Sequence, residues 1–127
     1  MNRERILIID DDHFLLKIYA DRLRKHGFVV EPFCGGKDGI DCFSGDFAPH
    51  VVIIDTEMVE MDGFEVLKEI KKRNKNDKLI VVVVSNRGDQ EEIKKAIDLG
   101  VDSYIVKASI TPAELVEVVE QLIDRRS

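Results

Sequence analysis

Asp10, Asp11 and Asp12 follow the apolar run Ile6 to Ile9, Asp55 follows Val51 to Ile54, Ser85 follows Leu79 to Val84, and Lys107 follows Tyr104 to Val106. Carboxylates, a hydroxyl and an ammonium gathered at one edge suit a divalent cation and a phosphoryl group. A carboxylate attacks phosphorus only when the repulsion between its charge and the phosphoryl oxygens is screened. Magnesium supplies that screening: it takes oxygen ligands in octahedral geometry, often one or two carboxylates, the phosphate and water. Manganese is the alternative ion for an all-oxygen donor set.

The same residue types have plainer uses. Asp10 to Asp12 also fit helix capping after a strand. Asp55 and Lys107 fit a structural ion pair, since a buried acid needs a partner. Ser85 fits a strand-end turn, and Tyr104 a core aromatic with a satisfied hydroxyl. Met58 and Met61 read as loop-to-helix packing. His13 fits a surface position in a first helical turn as well as a metal ligand. His26 beside Gly27 fits a helix C-terminus, and His50 after Pro49 a solvent-facing loop. Gly35-Gly36-Lys37 lacks the spacing of a phosphate-binding loop and reads as a turn.

Short Val- and Ile-rich runs are strands buried on both faces of a parallel sheet, whose carboxyl ends line one crevice. The sequence predicts strands over Arg5 to Asp10, Val29 to Phe33, Val51 to Ile54, Leu79 to Val84 and Ser103 to Val106. Pro32 cannot donate to a ladder, so the second strand lies near an edge. Leu79 to Val84 is expected to be the central strand. Between the strands lie helices: Phe14 to Lys25 with Leu15, Ile18, Tyr19 and Leu23 inward, a weak one from Lys37 to Phe43, and one after Gly63 burying Phe64, Leu67 and Ile70. Asp89 is the expected N-cap of a helix ending at Gly100. Thr111-Pro112-Ala113-Glu114 is a capping box before the stripe Leu115, Val118, Val119, Leu122 and Ile123. Alternating units of this kind make an α/β fold, one doubly wound sheet with helices on both faces.

Bulk composition narrows the function classes. At 127 residues the chain is one domain by length, residues 1–127, able to bury a core without staples. Lys+Arg 19 against Asp+Glu 25 gives a net charge of −6, which argues against direct nucleic-acid or membrane-surface binding. Cys34 and Cys42 match no zinc spacing and read as free buried thiols. No signal peptide or bilayer-length apolar run is visible, so a cytoplasmic location is expected.

The acidic cluster, the stretch Asp55-Thr56-Glu57-Met58-Val59-Glu60-Met61-Asp62-Gly63, and Ser85, Tyr104 and Lys107 in that order resemble the receiver domain of bacterial two-component response regulators. The resemblance covers nearly the whole chain. It implies a five-stranded flavodoxin-like (βα)5 sheet in order 2-1-3-4-5. It assigns Asp55 as phosphoacceptor, Asp11 and Asp55 as direct metal ligands, Asp10 as a ligand through water, and Glu57 as donor of a backbone carbonyl. Lys107 and Ser85 become phosphoryl contacts, and Asp12 the spare acid that caps the first helix. Ser85 and Tyr104 become the switch: the hydroxyl moves toward the phosphoryl group, the aromatic ring turns inward, and a protein-binding face changes. Implied partners are a sensor histidine kinase or phosphotransfer protein and a downstream protein bound near Tyr104, with a second copy of the chain as an alternative occupant. With no output segment after Arg126, protein contact is the expected output.

Departures from the family pattern carry their own expectations. Val59 replaces the usual proline and frees a backbone donor. Ala108 replaces a proline that follows a cis bond, so a trans Lys107-Ala108 bond is expected. Asn86 is bulkier than the usual small residue and narrows donor access. Glu57 and Arg87 occupy positions that tune phosphoryl lifetime, and a pair between them would slow hydrolysis. Three function classes follow: a receiver that catalyses its own phosphorylation and dephosphorylation at Asp55 in a phosphorelay, a pseudo-receiver that only binds, and an Asp-x-Asp phosphohydrolase using Asp10 and Asp12.

Overall fold

Neighbouring residues on each interior strand enter different cores, because strand side chains alternate between faces. The computed structural model describes residues 4–126; the reading of Met1 to Arg3 as lacking a signal peptide lies outside them. The elements are β1 (Arg5–Ile9), α1 (His13–Lys25), β2 (Val29–Phe33), α2 (Gly36–Ser44), β3 (Val51–Asp55), α3 (Gly63–Arg73), β4 (Ile80–Ser85), α4 (Gln90–Asp98), β5 (Ser103–Val106) and α5 (Pro112–Arg126). All five strands are parallel, in the order β2-β1-β3-β4-β5 of a doubly wound flavodoxin-like sheet. Among the described residues no helix is long and apolar enough to cross a membrane.

On one face Ile6, Ile8, Val51, Ile53, Val82 and Val84 pack with Leu16, Tyr19 and Leu23 of α1 and Leu115, Val116 and Val119 of α5. On the other, Leu7, Ile9, Val52, Ile54, Val81 and Val83 pack with Ile40, Phe64, Leu67, Ile70 and Ala96 of α2, α3 and α4. The register sets the site. Ile9 lies opposite Ile54, Asp55 opposite Val84, and Ser85 opposite Val106, so each polar residue emerges at the same carboxyl edge.

Several expectations change. β3, not β4, is the central strand; β1, β3 and β4 are all covered on both faces, so a long apolar run marks an interior strand without ranking it. Leu16 and Ala20 are buried on α1, whereas Leu15 and Ile18 are half-buried, because the helix contacts the sheet one position round from the strongest apolar stripe. Asp89 stands at the N-cap of α4 but its side chain makes no cap bond; the Arg87 guanidinium holds it instead, Nε to Oδ1 at 3.1 Å. Cys34 is exposed and Cys42 half-buried, so neither is a buried thiol.

His50 is not a solvent-facing loop residue: its Nδ1 accepts from the Arg5 backbone N–H at 3.0 Å, tying the approach to β3 to the start of β1. Local punctuation held elsewhere. Gly27 ends α1 at φ 93, a conformation that disfavours a side chain. Thr111 and Glu114 form the reciprocal capping box, with bonds of 3.0 and 3.1 Å.

Candidate functional site

Lys107 leaves the end of β5 and reaches back across the sheet edge. Its ammonium lies 2.9 Å from Asp10 Oδ2 and 3.2 Å from Asp55 Oδ2. The three side chains are nearly closed to solvent, 8 % exposed for Lys107, 3 % for Asp10 and 4 % for Asp55. The second oxygens take backbone donors: Asp10 Oδ1 accepts from Asp12 N–H at 3.0 Å, and Asp55 Oδ1 from Glu57 N–H at 3.0 Å. Burial pushes the Asp10 carboxyl up from 3.8 to about 6, and the Asp55 charge adds to this against the opposing pull of the Asp12 N–H and Lys107. Burial alone would lower the Lys107 ammonium, but its bonds to Asp10 and the charges of Asp10 and Asp55 outweigh this and raise it.

Asp11 completes the acidic group. Each of Asp10, Asp11 and Asp55 offers an oxygen, and these atoms all lie within 4.8 Å of one another. Three carboxylates against one ammonium leave an excess of negative charge, and the donors are all hard oxygens. That set fits magnesium. Asp12 stands apart: it is exposed, and its Oδ1 accepts from Leu15 N–H at 3.1 Å as the N-cap of α1. His13 is exposed in the first turn.

The β3–α3 loop is held from both ends. Gly63 N–H donates to the Thr56 carbonyl at 3.2 Å. A Cβ on Gly63 would overlap the Asp55 carbonyl oxygen and the Thr56 Cα, so only glycine lets α3 start so close to the end of β3. Val59 N–H donates to Asp11 Oδ2 at 3.0 Å. The freed donor was legible in the sequence; its acceptor was not.

Ser85 is fully buried. Its hydroxyl donates to Glu57 Oε1 at 3.3 Å and accepts from Arg87 N–H at 3.1 Å. Glu57 Oε1 also accepts from Asn86 N–H at 3.1 Å. This use of the Glu57 carboxylate was not foreseen in the sequence, where its backbone carbonyl is expected on the metal and its side chain in a pair with Arg87. The expected Glu57–Arg87 pair is not made: Arg87 binds Asp89 and, at 2.5 Å, Glu92 Oε1, nearer acids at the start of α4. Tyr104 is half-buried and its hydroxyl donates to the Arg87 carbonyl at 2.6 Å. The Lys107-Ala108 bond is trans, as expected, and opens a 3-10 turn over Lys107–Ser109.

Comparison with known proteins decides the family. The family model described as the response regulator receiver domain matches residues 6–120. The chain belongs to the response regulator receiver domain family. This receiver is 35 % identical over 121 residues to the chemotaxis protein CheY of Treponema pallidum, covering 93 % of this chain and 79 % of that one. It is 32 % identical over 113 residues to the probable transcriptional regulator ycf27 of Guillardia theta, covering 89 % of this chain but only 42 % of that protein. Some relatives of the receiver are therefore more than twice its matched length. Among solved structures, the CheY-like receiver domain protein of Methanospirillum hungatei superposes with a TM-score of 0.89 at 25 % identity, covering 98 % of this chain and 97 % of that one.

Proposed function

We propose that this chain, residues 1–127 acting as one receiver, takes a phosphoryl group onto Asp55 from a phosphohistidine on a sensor histidine kinase or phosphotransfer protein. The observation that carries the reading is Lys107 bridging Asp10 and Asp55 beside Asp11. In the transfer, an Asp55 carboxylate oxygen attacks phosphorus as the P–N bond of the donor breaks. The electron pair leaves on the imidazole nitrogen, and the proton carried by the donor's other ring nitrogen makes the leaving group a neutral imidazole. Asp10, Asp11, Asp55 and the Glu57 carbonyl would hold magnesium, which supplies charge screening of the phosphoryl oxygens. Lys107 exchanges one Asp55 oxygen for a phosphoryl oxygen, keeping a charge-assisted bond throughout.

An acyl phosphate adds negative charge and acceptor oxygens at this edge. Ser85 and Lys107 are the nearby donors, and Tyr104 is linked to Ser85 through Arg87, whose N–H and carbonyl bond one residue each. The proposed output is a change in the face around Tyr104 that a downstream protein, or a second copy of the chain, reads. The acidic charge speaks for protein rather than nucleic-acid partners. Asp12 serving as a helix cap supports this reading over an Asp-x-Asp hydrolase.

Intact-mass spectrometry after incubation with acetyl phosphate and magnesium tests the proposal. The parent is expected to gain one phosphate and Asp55→Ala none. No gain in the parent with either acetyl phosphate or a phosphorylated histidine donor would favour the pseudo-receiver.

A further inference from the structure

Building on the receiver reading above, we propose that the Glu57 side chain is a positioning residue that withholds the Ser85 hydroxyl until a phosphoryl group on Asp55 displaces it. A serine hydroxyl has one proton to donate. Here that proton goes to Glu57 Oε1 at 3.3 Å, while the oxygen accepts from Arg87 N–H. Ser85 is fully buried, so water does not substitute as partner. The hydroxyl therefore reaches a phosphoryl oxygen only when the Glu57 bond breaks.

The same carboxylate oxygen also holds Asn86 N–H at 3.1 Å, so Glu57 fixes the turn after β4 by side chain and backbone together. The far side of the turn is held by Tyr104 on the Arg87 carbonyl and by the Arg87 guanidinium on Asp89 and Glu92. Glu57 is thus the tie on the phosphoacceptor side. A phosphoryl group two residues away repels its carboxylate and offers Ser85 a better acceptor, so one event weakens the old bond and supplies the new. Until then the competent arrangement is a minor one, and apparent affinity for a phosphoryl group is reduced by that fraction. The role belongs to the side chain alone, because substitution leaves the Glu57 carbonyl in place.

The experiment titrates beryllofluoride, a tetrahedral phosphoryl mimic, with magnesium into the parent, Glu57→Ala and Glu57→Gln, each with Ser85 and with Ser85→Ala, following backbone amides 85–88 by NMR. Without ligand, the Asn86 amide is expected to shift and exchange faster in Glu57→Ala. Apparent beryllofluoride affinity is expected to rise about five- to tenfold in Glu57→Ala, the size of one ordinary net hydrogen bond acting through a minor competent state. Glu57→Gln, which keeps a neutral acceptor, should fall between. In the Ser85→Ala background the gain should vanish. A gain that persists there, or equal gains for Ala and Gln, would mean simple charge repulsion and overturn the proposal, as would a parent and Glu57→Ala that bind equally. A parent that does not bind beryllofluoride at all overturns the receiver reading, and this proposal with it.

Discussion

The backbone N–H of Val59 donates to Asp11 Oδ2 at 3.0 Å, joining residues 48 apart in sequence. A carboxylate has about four acceptor sites, so one amide bond fixes the orientation of Asp11 and leaves room for a cation. Val59→Pro removes the donor while Val59→Ala keeps it. Magnesium binding by calorimetry should weaken roughly 3–10-fold in Val59→Pro, the size of one modest hydrogen bond, and be unchanged in Val59→Ala. Equal affinity in all three proteins would show that the bond does not organise Asp11.

Lys107 is the shared counter-ion of two buried carboxylates, so Lys107→Met should expose their mutual repulsion. Removing one partner of a buried ion pair costs about 3–5 kcal/mol, and the low end is expected because Asp10 already holds its proton more firmly than an ordinary aspartate. Urea unfolding at pH 7 should show this loss, and added magnesium should restore part of it. A variant as stable as the parent without magnesium would refute the ion pair's structural weight.

Gly63→Ala places a methyl against the backbone of Asp55 and Thr56. Neither neighbour is a flexible side chain that moves aside, so α3 or the end of β3 has to shift. A loss of about 1–3 kcal/mol in urea unfolding is expected, as for overpacking elsewhere. Phosphorylation of Asp55 by acetyl phosphate should slow as well; a full-rate variant would show that the acceptor tolerates the displacement.

His50 gives the fold an acid-sensitive tie. Burial, then the Arg5 charge, lower its pKa from 6.5 against the opposing charge of Glu4, and its Nδ1 accepts only when unprotonated. A depressed folded pKa means the stability is present above 6.5 and lost as pH falls through the folded value. Asp10 acts oppositely: its raised pKa of about 6 makes its contribution fullest below 3.8 and lost as pH rises through 6. Comparing the parent with His50→Gln cancels Asp10. The stability advantage of the parent should be greatest near pH 7.5 and shrink toward pH 5 in urea titrations; a pH-independent difference would contradict this tie.

Much of the chain was legible because its signals are local. Ser103 to Val106 and the Thr111–Glu114 box carry their own strand and capping patterns, and the structure reproduces both. Alternating apolar residues assigned strand faces, and the acids, serine and lysine at the ends of apolar runs marked one edge of the sheet. Identical interior environments hid which strand was central, since β1, β3 and β4 bury both faces alike.

The remaining choices were made in three dimensions. Arg87 had acids at 57, 89 and 92 within its sequence options and took the two at the start of α4. Glu57 went to Ser85 and Asn86, His50 to Arg5, and the Val59 amide to Asp11. Residue types name the donors and acceptors a chain owns, and short-range periodicity names its elements. Which donor meets which acceptor depends on register, loop route and the distances left after packing, so those pairings belong to the tertiary structure.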